Sequence, residues 1–222
     1  MKTLAFSILF LSITSLYSQV NDSLFPIKGR KYYYYVDASS KPTTEEKFTL
    51  AKPFQDGIAV ASDKSATGLF DPLLGLINYS GEWITKVEFE KIEEFREGVA
   101  PAKRKGKWGL LSSDGKVSMP FTFDELDKPS DGLIGVRVGF KWGYSDYFGN
   151  LILSPKFDEV TPFEQGRALV KLGSRWIVID KFGKQAIKGD WDFAKPYSEG
   201  NAAVKYTGGL WNFIDTAGQR AF

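Results

Sequence analysis

The side chains that usually do chemistry are scarce in this sequence. Its 222 residues include His 0 and Cys 0. That excludes a Ser-His-Asp triad, a Cys-His pair, a zinc site built from His and Cys, a His-ligated haem and any disulfide. Carboxylates remain. Glu90, Asp124, Asp158 and Asp192 recur 34 residues apart, each directly after a large ring (Phe89, Phe123, Phe157, Trp191). Stacked in a column, they could hold a hard cation such as calcium through oxygen ligands. The same position also suits a carboxylate that caps a turn by accepting backbone N–H groups. The cap is the preferred reading, because no unit has the dense Asp and Gly pattern of calcium-binding repeats.

Paired carboxylates can run glycoside hydrolysis without histidine, and Glu45-Glu46 and Glu93-Glu94 are candidates by type. They lack a distinctive context, and catalysis on a regular repeat should show as one sharply deviant unit. The only such place is a short insertion within Ser62–Leu73. No catalytic residue, metal ligand or cofactor is assigned, and the protein is expected not to be an enzyme. Lys103-Arg104-Lys105 with Lys107 is the densest positive run. It reads as a solvated hairpin tip that protects a sheet edge rather than as a site for an anionic partner. Tyr79, Tyr147, Phe148 and Phe182 fall in the middle of polar turns, where rings should point to solvent. They form the candidate interaction surface, for a protein or a glycan, unless they fold back on a neighbouring turn.

The elements that position these residues follow from internal repetition. Gly81, Gly115, Gly149, Gly183 and Gly218 are 34, 34, 34 and 35 apart. Gly98, Gly132, Gly166 and Gly200 keep intervals of 34, each 17 after its partner in the first series. Ser40 and Gly57 extend both series to an earlier unit, and the step of 41 from Gly57 to Gly98 holds seven extra residues. The count is five full units and a truncated sixth. Seven before each first-series position stand Tyr33, Leu74, Trp108, Trp142, Trp176 and Trp211, with a further apolar residue two places on. Asp, Asn or Ser follows, three before the glycine, which is the chemistry of a type I turn closing a half-buried strand. Fourteen after the glycine come Phe54, Phe95, Pro129, Phe163 and Tyr197. Small residues such as Ala59, Ala100, Ala168 and Ala202 then mark a third strand, facing a tightly approached interior.

All connections have hairpin length, so every pairing should be antiparallel and helix almost absent. One meander cannot bury its own apolar face, whereas a stack of them can. The expected fold is all-β: antiparallel three-stranded meanders of about 34 residues, stacked as an open curved solenoid, with a closed propeller-like ring as the alternative.

At the N-terminus, one Lys precedes an apolar run from Leu4 to Ile13, with small residues Ser15 and Ser18 after it. This is the form of a secretory signal peptide, with cleavage expected after Ser18. The domains are then a leader 1–18, a segment 19–28 and the repeats 29–222. Lys+Arg 29 against Asp+Glu 27 gives +2, and losing Lys2 with the leader leaves 28 − 27 = +1. A balance so near neutral argues against nucleic acid. No second apolar stretch has membrane length, so an exported protein not integral to the membrane is expected, in the periplasm or outside the cell.

Lys107-Trp108-Gly109-Leu110-Leu111-Ser112-Ser113-Asp114-Gly115-Lys116 and Lys141-Trp142-Gly143-Tyr144 resemble the WG-repeat family. Phe95-Arg96-Glu97-Gly98-Val99-Ala100 and Phe163-Glu164-Gln165-Gly166-Arg167-Ala168-Leu169-Val170 look like its second half-motif. The likeness covers about residues 29–222. It departs at Leu74-Gly75, Trp176-Ile177, Trp211-Asn212 and Tyr33-Tyr34. The resemblance implies a β-rich repeat that mediates interactions, often in exported bacterial proteins, and carries over no catalytic residue. The expectation is a non-catalytic scaffold for an unknown partner protein, with envelope glycan as the alternative ligand.

Overall fold

The computed structural model describes residues 24–45, 47–64 and 72–221. The expected leader 1–18 and most of the insertion lie outside the described residues. Among those described there is no helix, and every strand pairing is antiparallel.

Among the described residues the strands form six sheets, one of two strands, three of three and two of four, and none closes into a barrel. In one four-stranded sheet, Val99–Arg104 turns through Lys105-Gly106 into Lys107–Ser112, the Trp108 strand. Val117–Phe123 pairs on its far side, and short Lys91–Ile92 lies on the other flank. Glu125–Leu126, Ile134–Val138, Lys141–Ser145 and Leu151–Phe157 repeat this order. Each three- or four-stranded sheet thus draws its strands from two successive sequence units. The tight hairpin after the third strand ties it to the next unit's first strand more closely than to its own.

The same hairpin continues ahead of residue 29. Phe25–Lys28, which the sequence places in a segment preceding the repeats, pairs with Tyr33–Val36 and sets Lys28 opposite Tyr33. Lys103 faces Trp108 and Arg137 faces Trp142 in the same register. The strand Phe25–Lys28 thus supplies the first repeat's leading strand with a hairpin partner. The cross-strand cation lies over the ring in most units: Lys28 on Tyr33 at 5.8 Å, Arg137 on Trp142 at 5.8 Å, Lys171 on Trp176 at 5.7 Å and Lys205 on Trp211 at 5.8 Å. The same cross-strand cation–ring pairing thus recurs in four units, although burial of the ring varies from Trp176 at 8% to Trp211 at 43% exposure.

The core is divided into clusters in chain order, each spanning neighbouring units. Tyr144, Phe157 and Phe163 pack with Ala168, Val170 and Ile179 of the following strands, for example. The buried Tyr144 hydroxyl donates to Thr161 O at 2.7 Å, so its polar end is satisfied inside the stack. Among the described residues, no cluster joins the first unit to the last.

Two glycine requirements set the spacing of sheets and units. Gly143, second in the Trp-Gly pair, faces a bulge: the three steps from Trp142 to Ser145 are matched by six from Phe157 to Leu151. A Cβ there would stand 2.3 Å from Leu153 O, so only glycine lets the bulged strand lie so close. Gly218 closes a turn at φ +83, and a Cβ would meet Ile187 Cγ2 of the preceding unit at 2.5 Å. Gly81, Gly115 and Gly183 have the same kind of contact with the unit before them. First-series turns therefore rest directly on the previous unit.

Candidate interaction site

The four turn aromatics separate into two pairs. The Tyr79 ring stacks on Phe54 of the preceding unit, centroids 4.7 Å apart and planes 25° apart. Tyr147 is half-buried, and its hydroxyl donates to Glu97 Oε2 at 2.5 Å, across 50 residues of chain. Burial first, then this bond to an anion, push the Tyr147 hydroxyl well above the usual tyrosine range. Tyr79 and Tyr147 thus take the fold-back course and do not point to solvent: both serve as links between units. Phe148 and Phe182 have no hydroxyl to anchor them and remain 72% and 84% exposed. They occupy the same turn position one repeat apart, and half-exposed Leu151 and Ile152 follow Phe148.

The carboxylate of Glu97 belongs to a ladder that the glycine spacing alone does not reveal. Asp56, Glu97, Asp131, Gln165 and Glu199 each precede a second-series glycine and adopt φ between 49° and 55°. Arg96 and Val99 exchange N–H···O bonds around Glu97-Gly98, closing a two-residue hairpin turn. The Glu97 carboxylate then accepts the N–H groups of Asp131 and Gly132 in the next unit's turn, both at 2.9 Å. Asp131 accepts from Gly166 at 2.7 Å, and Glu164 accepts from Gly200. Burial alone would raise the Glu97 carboxyl, but Tyr147 and these two N–H groups hold it below its ordinary value.

The recurring acids cap hairpin tips at the other end of the strands. Glu90, Asp124, Asp158 and Asp192 accept the N–H of Gly106, Gly139, Gly173 and Thr207 at 2.7–2.8 Å. Lys107, Lys141 and Arg175 pair with Asp124, Asp158 and Asp192 at 2.5, 2.5 and 2.8 Å. Among the described residues, no group of three or more Asp, Glu, His or Cys could hold a metal ion. The basic run is mostly neutralised locally. Lys103 is 3.9 Å from Glu90, and Arg104 bonds Glu88 at 2.8 Å while lying 4.4 Å above Phe121.

Three features escaped the sequence reading. Phe140 and Leu210 are 93% and 86% exposed at hairpin tips. Phe140 stands where the neighbouring units have Gly106 and Ser174, a departure legible in the repeat. Third, a groove of ≈ 430 Å³ opens between the second and third units, lined by Trp108, Pro101, Pro129 and Leu126 with charged side chains around them. Of the carboxylate pairs singled out by type, Glu93-Glu94 lies on this groove together with Asp127. Glu46 of the other pair is outside the described residues.

The sequence profile of the WG containing repeat matches four successive stretches, 75–108, 108–141, 142–176 and 178–211. No curated protein gives a significant match. Among solved structures, Kluyveromyces lactis Hsv2 with loop 6CD replaced by a Gly-Ser linker is 14% identical, with a TM-score of 0.44 over 74% of this chain and 61% of that one. A eukaryotic initiation factor is 11% identical, with a TM-score of 0.49 over 91% of this chain and 62% of that one. A Bacteroides caccae protein of unknown function is 12% identical, with a TM-score of 0.33 over 90% and 91%. The chain spans less than two thirds of the length of the first two structures.

Proposed function

Since this chain belongs to the family of the WG containing repeat, we propose that it is an exported, non-catalytic scaffold whose stacked units present an edge to another protein. Phe148 and Phe182 carry this reading. Two phenylalanines at one turn position in successive units, both mostly exposed, form a regular apolar feature that a monomer gains nothing by displaying. The leader sequence supports export.

The test is site-specific photo-crosslinking in the native envelope fraction, with the photoreactive residue at position 148 or 182 and at exposed Val117 as control. The expected result is one discrete adduct from both turn positions, absent from the control and lost with serine at the other ring. Identical adduct patterns from all three positions would overturn the proposal. The alternative is a glycan of the cell envelope stacking on the same rings. It is favoured if a glycan array shows binding that the Phe148→Ser/Phe182→Ser variant loses.

A further inference from the structure

The groove lies where one repeat breaks its own pattern. Phe54, Phe95, Phe163 and Tyr197 occupy the position where the third unit has Pro129. In the first and fourth units that ring packs against the first strand: Phe54 lies on Tyr35 and Phe163 on Tyr144, each with centroids 4.8 Å apart. Two successive interfaces differ. Between the first and second units, Lys52, Pro53, Gln55, Glu93, Glu94 and Phe95 surround ≈ 70 Å³. One repeat on, Glu93, Glu94, Arg96, Asp127, Lys128 and Pro129 take those places and the space grows to ≈ 430 Å³. The register is the same, since Glu93 − 41 is Lys52 and Pro129 − 34 is Phe95. A volume of this size lies within the usual range of ligand pockets.

The chemistry of the lining selects an occupant. Half-buried Trp108 with Pro101, Pro129 and Leu126 supplies apolar surface, including an indole ring. Three carboxylates, Glu93, Glu94 and Asp127, line the groove with two cations, Arg96 and Lys128, while Lys91 lies outside the lining at 3.9 Å from Glu93. Arg96 is drawn to Glu94 at 3.5 Å, on the exposed rim. Asp127 lies deeper, where desolvation pushes its carboxyl above the usual range despite the N–H of Lys128. An ionised group so placed gains from a cation brought to it.

We propose that this groove receives an extended segment of the partner protein, with a Lys or Arg side chain lying along Trp108 and its charged head meeting Asp127 and Glu93. The aliphatic stem covers the apolar lining, the indole adds a cation–π contact, and the carboxylates supply the countercharge. This names the chemistry of the partner and so rests on the scaffold reading above.

The experiment follows the Trp108 indole N–H by NMR in the whole mature protein. Its probes are a short capped peptide with arginine between two prolines, the same peptide with glutamate, and a neutral cello-oligosaccharide. Saturable shifts with the arginine peptide alone are expected, and Asp127→Asn should weaken them about tenfold or more. Pro129→Phe rebuilds the ring seen at Phe95, so it should abolish binding without lowering the melting temperature. No shift with arginine peptide at millimolar concentration, unchanged affinity in Pro129→Phe, or a saccharide response in its place would overturn the proposal. If Pro129→Phe folds poorly, Asp127→Asn and Glu93→Gln decide: both must weaken the arginine peptide and spare the fold. Crosslinks at positions 148 and 182 are independent of the groove, so their persistence alongside a silent groove refutes this inference alone.

Discussion

An alanine at Gly143 tests the reason for glycine in the Trp-Gly pair. The added Cβ would lie 2.3 Å from Leu153 O, 2.8 Å from Pro155 N and 2.9 Å from Ser154 C. All three are backbone atoms, so no side chain can rotate away, and the bulged strand would have to retreat by about 1 Å to restore ordinary contact. Overpacking costs about 1–3 kcal/mol, and a clash with backbone on every side belongs at the upper end. Gly132→Ala is the calibrating variant. Its φ is +75 but nothing stands within 4 Å of the new methyl, so only the left-handed backbone is penalised, by about 1–2 kcal/mol. Thermal unfolding followed by circular dichroism should show Gly143→Ala melting about 6–12 °C below the wild type. Gly132→Ala should fall between them. If Gly143→Ala melts with the wild type, or no lower than Gly132→Ala, the close approach at the bulge is not what demands glycine.

Glu97→Gln removes the anion that accepts from Asp131, Gly132 and Tyr147. On this exposed edge the loss should be about 1 kcal/mol, and hydrogen exchange should quicken at Asp131 and Gly132 before the rest of the sheet. Asp124 and Asp158 are held below their ordinary range, first by Lys107 and Lys141 and then by the N–H groups of Gly139 and Gly173. A depressed folded value gives stability that is present above the unfolded carboxyl range and is lost as pH falls through the folded value. Melting temperature should therefore change little from these groups between pH 7 and 5, and fall below about pH 4. Asp158→Asn should blunt that acid loss, and an identical acid profile would exclude the caps as its cause. Intact mass of the protein recovered from its native host should begin at Gln19, within a few residues, and a retained Met1 would refute export through this leader.

Much of the architecture was legible from the sequence because it is encoded locally. An Asp or Asn three residues before a glycine makes a turn from its own side chain, as Asp146 does with the N–H groups of Phe148 and Asn150. Alternation of large and polar residues assigns a strand, and short links permit only antiparallel pairing. Even the acids after the rings could be recognised as caps, although not that Asp124 caps Gly139, 15 residues on. Phe148 and Phe182 were visible as exposed rings for the same local reason. Tyr147 was not separable from them, since its fate depends on a carboxylate 50 residues away that stacking brings within reach.

Residue spacing by itself thus determined the repeat, its strands and its turns, because each depends on backbone preferences within a few positions. Only the tertiary structure decided how each three- or four-stranded sheet draws on two units, which carboxylate meets which distant N–H, and that a groove lies where a proline stands in place of a ring. Those outcomes depend on distance and direction between units, and a linear pattern carries neither.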